Sequence, residues 1–148
     1  EKLLKQYDVI LPKQRNYFIE TVRSQYEHAH NKNDLALTEQ IVAELYPEYS
    51  EAFCKVMGGT KLHIFNMFVM KKEKFDEYCQ WLFTILFELE KRIDISSYSQ
   101  YEARVFGFLS ERLLNVWLEK QKLKVKGIDV VFLEKIESAL YISLGFIS

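Results

Sequence analysis

Cysteine is scarce in this chain: two residues in 148, Cys54 and Cys79, far apart and both inside helix-like segments. That excludes a disulfide framework and offers no metal-ligand spacing, so both read as small buried side chains in a reduced cytoplasm. A basic excess is missing too. Lys and Arg number 20 against 21 Asp and Glu, for a net charge of −1, which removes the concentrated basic face that nucleic-acid binding needs. No run reaches the ~20 apolar residues of a membrane span, and no signal-peptide pattern is evident. Gly58-Gly59 has neither the spacing nor the Lys-Ser/Thr of a phosphate loop, and no Asp-x-Asp pair occurs to hold a hard divalent cation. No metal ligand is therefore assigned. Initiator methionine and internal repeats are also lacking, so residues 1–148 are expected to form one domain or a piece of a longer one.

What is present is a globular composition, 49% hydrophobic and 28% charged, long enough for a single core. The aromatic share, 15%, is high, and its many tyrosines suit both cores and sugar-contacting clefts. "YDVIL" (7–11) reads as a buried strand stopped by Pro12, and "PKQRNY" delivers polar side chains just beyond it. "FIETVRSQYEHAH" (18–30) carries a helix signal, and Asp34 is expected to cap the next helix, with Leu37, Ile41 and Leu45 on its inner face. Pro47 starts another helix, ended by Gly58 and Gly59. The strongest helical pattern spans Lys72–Arg92, with Phe75, Tyr78, Cys79, Leu82, Phe83, Leu86 and Leu89 on one face. A second, from Tyr98 to Gln121, presents Tyr101, Val105, Phe108, Leu109, Val116 and Trp117. "IDVVFL" (128–133) reads as a strand after Gly127, and "KIESALYISLGFI" as an amphipathic tail. Strands separated by helices predict an α/β arrangement with about three strands, thin enough to be the edge of something larger.

Several polar residues stand out. Arg15 and Asn16 lie just past a strand end, where open α/β sheets bind ligands, or are ordinary loop polarity. His28 and His30 in "EHAH" point to different faces if helical, and only a loop would bring them over a cleft. In "HIFNMFVM" (63–70) strand alternation puts His63 and Asn66 on opposite faces, unless His63 lies in the preceding loop. A buried Asn66 must find hydrogen-bond partners, at a cost of ~1–3 kcal/mol if it does not. In "ARVFGFLSERLL" (103–114), Arg104, Glu111 and Arg112 flank a helical turn. Gly107, costing ~1 kcal/mol there, would admit a close neighbour. Glu111 beside arginines is a general base or half of a salt bridge.

"YDVILPKQRNYFIET", "HIFNMFVMKKEKFDEYCQWLFTILFELEKRIDIS" and "ARVFGFLSERLLNVWLEK" together resemble the later part of a bacterial family long catalogued as a domain of unknown function. That family is associated with capsular and exopolysaccharide glycosyltransferases, and the resemblance runs from about Tyr7 to Glu134. It implies a C-terminal, acceptor-side part of a glycosyltransferase A-like fold. A nucleotide-binding half, carrying a His-Tyr-Arg-Arg-Tyr run that this chain lacks, would come before it. The implied partners are a nucleotide sugar and a saccharide acceptor, with a divalent metal left open, and this chain alone would not turn over. The resemblance makes Glu111 the expected base, with Arg104 and Arg112 orienting it or contacting phosphate. Arg15, Asn16, His28, His30, His63 and Asn66 become candidate substrate contacts. The implied setting is the cytoplasm, at the inner face of the membrane, with peripheral membrane or subunit contact through the tail. The rival reading is a non-catalytic helical interaction or regulatory domain, burying Trp81 and Trp117 against a partner.

Overall fold

β-branched Val9 and Ile10 open the first strand, β1 (Val9–Pro12), and Val9 and Leu11 are both fully buried in the computed structural model, which describes residues 2–132. β1 is the centre of a three-stranded sheet. It pairs antiparallel with β4 (Val69–Met70) and parallel with β5 (Val125–Ile128). A separate antiparallel ribbon joins β2 (Arg15–Asn16) to β3 (Lys61–Leu62). The long crossover between β1 and β5 holds all the α-helices among the described residues, so the class is the mixed α/β one expected from the sequence.

The helices are α1 (Val22–Ala29), α2 (Lys32–Leu45), α3 (Ser50–Gly58), α4 (Lys72–Arg92) and α5 (Val105–Gln121). α4 has the bounds its periodicity predicts. α5 packs on α3 and α4 and is the central helix, with ten buried residues that include Ser110, Arg112 and Asn115. α3 ends at the glycine pair, as expected.

Several sequence expectations change. Asn31, not Asp34, caps α2 by accepting from the Asn33 amide; Asp34 is buried inside the helix and accepts from the Tyr98 hydroxyl at 2.6 Å. The inner face of α2 is Leu35, Thr38, Ile41 and Val42, while Leu45 is exposed. On α4 the core residues are Tyr78, Trp81, Leu82, Ile85 and Leu89; Phe75 and Phe83 face outward. Both shifts come from helices whose neighbours cover a face rotated from the apolar count, because Asp34 and Trp81 supply a polar tie and a large ring there. The second long helix begins at Val105, after a short 3-10 turn, and Tyr101 is exposed before it. Of "IDVVFL" only Ile128 is strand among the described residues: β5 comes earlier and includes Gly127, where an added Cβ would lie 3.3 Å from Lys13 Cγ. The amphipathic tail falls outside the described residues.

The largest change concerns residues 63–70. Only Val69–Met70 is strand; residues 63–68 form a loop, with Phe65 in the left-handed region at φ 69°. Alternation is lost because this stretch bonds to a helix instead of to a neighbouring strand.

Candidate functional site

Three residues spaced four apart on α5 form one stripe, Gly107, Glu111 and Asn115, and that stripe holds the 63–66 loop. Asn115 accepts from the His63 amide at 2.9 Å and donates to the His63 carbonyl at 2.9 Å, the two-bond pattern one strand offers another. Its amide also donates to the Glu111 carbonyl. One turn on, the Phe65 amide donates to Glu111 Oε1 at 3.1 Å, and after another turn Asn66 Nδ2 donates to the Gly107 carbonyl at 3.1 Å. His63 Nδ1 lies 2.6 Å from the Pro12 carbonyl, so the ring donates there and ties the loop to the end of β1.

Glu111 sits at the middle of this stripe. Its second oxygen pairs with Arg112 at 3.1 Å. Burial raises the Glu111 carboxyl above its ordinary value, while Arg112, the Phe65 amide and Arg104 oppose that rise. The side chain keeps 23% of its surface, enough to meet a ligand, whereas the Arg112 side chain keeps 4%. Arg112 is held inside by Gln25 Oε1 at 2.8 Å and the Phe108 carbonyl at 3.1 Å, and lies over the Tyr26 ring. It can orient and charge-balance Glu111, but it is too deep to grip a phosphate. Tyr17 belongs to the same electrostatic cluster. Burial raises its phenol, and Arg112, Arg15 and Glu111 all act on it.

Beside this cluster lies a crevice of about 340 Å³ at the carboxyl ends of the parallel strands β1 and β5. Pro12 and Ile128, the last residues of those strands, line it with Arg15, Asn16, Phe18 and Phe65. This is the place where open α/β sheets bind their ligands. A larger cleft of about 900 Å³ is lined by Lys13, Lys55, Lys61 and Lys122 with His63 and Asn115. Its lysines do not make it an anion site. The residues that cap the carboxyl ends of α3 and α5, Gly59 and Lys122, are part of its lining, and those ends carry partial negative charge. Lys55 is also paired with Glu119 and Lys13 with Asp129.

The sequence candidates thus separate. Arg15 and Asn16 line the crevice; the Arg15 guanidinium lies 5.3 Å from the Tyr17 ring centre, and Asn16 accepts from the Phe18 amide. Glu111 is next to them through Phe65. His28 and His30 do not converge. His28 is exposed with Nδ1 2.7 Å from Glu20, and His30 is stacked on Phe108 with ring centres 4.1 Å apart. Burial lowers the His30 imidazole to about 4. His63 and Asn66 serve the loop, and exposed Arg104 lies over the Phe108 ring. On its side-chain side Gly107 admits no close neighbour, since nothing lies within 4 Å of a Cβ built there; its carbonyl takes the Asn66 bond. The sequence reading missed Asn115 and Phe18. A four-residue spacing from Gly107 through Glu111 was a signal for the first; the second has none, since its backbone angle is a tertiary result.

The family model described as a domain of unknown function (DUF4422) matches residues 1–122. Among solved structures, the apo structure of the bifunctional glycosyltransferase WbbM is similar at a TM-score of 0.82 and 34% identity. The match covers 86% of this chain and 24% of that one, so the chain spans about a quarter of its length. No curated protein matches the chain.

Proposed function

The chain belongs to the DUF4422 family, and from that premise we propose that it serves sugar transfer from a nucleotide-sugar donor to a saccharide acceptor in bacterial capsular or exopolysaccharide assembly. Within that reaction it supplies the acceptor side, at the inner face of the membrane, with the donor bound by a preceding nucleotide-binding half. The observation that carries the reading is the desolvated Glu111 carboxyl beside a crevice at the strand carboxyl ends. A carboxylate with its proton affinity raised by burial is suited to take a proton from an acceptor hydroxyl. Arg112 balances its charge from behind and partly offsets the rise that burial causes. No cluster of three metal-ligating side chains occurs among the described residues. Among them also, no helix is long and apolar enough to cross a membrane.

The test is sugar transfer in the protein that carries this chain. Glu111→Gln keeps an oxygen for the Phe65 amide but cannot accept a proton, so kcat should fall by about 10²–10⁴-fold. Nucleotide-sugar affinity should be unchanged. Activity within tenfold of wild type would refute the assignment of the base. The variant also leaves Arg112 without its carboxylate, so some loss of melting temperature is expected and does not bear on catalysis. The rival reading, an interaction module anchored by Trp81 and Trp117, loses those anchors: they are 4% and 1% exposed, inside the chain's own core.

A further inference from the structure

We infer that the crevice at the carboxyl ends of β1 and β5 binds a neutral sugar ring by stacking on Phe18, with Phe65 bounding the other end; this rests on the transferase reading. Three non-glycine residues among those described have positive φ, Phe18 at 59°, Phe65 at 69° and Lys122 at 50°. Two of the three are aromatic and line one crevice. They sit at the two ends of the β2–β3 ribbon, since Arg15 pairs with Leu62 and Asn16 with Lys61. Each is fixed by its own amide, Phe18 to Asn16 Oδ1 and Phe65 to Glu111 Oε1.

A bulky residue in the left-handed region is strained, and burying its side chain is one way that folding offsets the cost. Phe18 recovers little, because it is 76% exposed. The geometry fixes the backbone from which an exposed ring projects at the crevice, where it is open to stack on a ligand. Sugars present an apolar C–H face and a rim of hydroxyls, and this crevice supplies a matching rim in Gln14, Asn16 and Asp129. Its charges are Lys13, Arg15 and Asp129, with Lys13 and Asp129 already paired, so a diphosphate finds little net attraction. The volume, about 340 Å³, is at the low end of the roughly 300–1,000 Å³ range of ligand sites, and suits a sugar ring better than a nucleotide sugar.

The experiment is saturation-transfer-difference NMR and calorimetry on the full chain, with neutral mono- and disaccharides and, separately, uridine diphosphate. Sugar C–H protons should receive saturation from the protein's aromatic protons. Phe18→Ala should weaken sugar binding about tenfold and Phe18→Trp restore it. Phe18→Gly suits the same backbone and secures a folded control that also loses binding. Equal sugar binding by wild type and Phe18→Ala, or no sugar binding at all, overturns the inference. Saturation of uridine protons through Phe18 in place of sugar protons also overturns it, marking a base platform, while leaving the transferase reading standing. Sugar stacking in a protein that carries this chain yet transfers no sugar supports the subsite and refutes the transferase reading.

Discussion

At the scale of single residues, burial decides which side chains can act. Glu111 and Arg112 are neighbours in sequence with opposite fates, because successive helix positions face about 100° apart: the Arg112 side chain is turned inward at 4% exposure while that of Glu111 keeps 23%. His30 shows the same logic in a group that does not react. Packed against Tyr26 and Phe108, and near the Arg112 charge, it titrates at about 4 instead of 6.5. The native state therefore holds fewer protons than the unfolded chain between those values, so stability should fall as pH drops from 6.5 towards 4. The effect should be on the order of 1–3 kcal/mol. His30→Phe keeps the stack and cannot titrate, so urea unfolding of that variant at pH 4.5 and 6.5 should show a smaller difference than wild type. An unchanged difference would place the acid sensitivity elsewhere.

At the scale of elements, the α5 stripe decides the shape of the site. The histidine and asparagine of "HIFNMFVM" are bound to a helix, so the loop follows α5 and not the pleat of a strand. Two substitutions on this stripe should act in opposite directions. Asn115→Ala leaves the His63 amide and carbonyl without their buried partner and should cost about 2–3 kcal/mol. Gly107→Ala adds a methyl where nothing lies within 4 Å, keeps the carbonyl that Asn66 uses, and removes glycine's entropy cost from a helix. It should stabilise by about 0.5–1 kcal/mol. Denaturant titrations of the two variants give both signs. The single glycine of "ARVFGFLSERLL" was visible in the sequence, but its meaning was not, because a helix carbonyl gives no sequence signal when it accepts a side-chain bond.

At the scale of the whole molecule, one core spans both long helices. Tyr78 on α4 and Trp117 on α5 lie 5.3 Å apart between ring centres, and Trp81 stacks on Tyr49 at 4.8 Å. Trp81 and Trp117 should therefore report a single transition, with tryptophan fluorescence and far-UV circular dichroism coinciding through urea unfolding. Separate midpoints would show that α4 comes away from the rest. Electrostatics also acts at this scale. Counted as residues, the larger cleft is basic, yet Lys55 and Lys13 in it are paired with carboxylates and helix ends lie in its lining, while the smaller crevice has the strand ends and, through the Phe65 amide, a link to Glu111.

Much of this was legible in the residues alone. Helix periodicity is a local property repeated over many turns, so the bounds of α4 followed directly from it, as the end of α3 did from its glycine pair and the α/β class from strands separated by helices. The resemblance carried by three ordered blocks pointed to the family that residues 1–122 match. Tertiary structure alone decided the rest. Which face of a helix is covered depends on its neighbours, so Trp81 replaced Phe75 and Phe83 in the core. Whether a short apolar run becomes a strand depends on finding a partner ladder. Residues 63–68 found a helix stripe instead, and in doing so placed the Phe65 amide on Glu111.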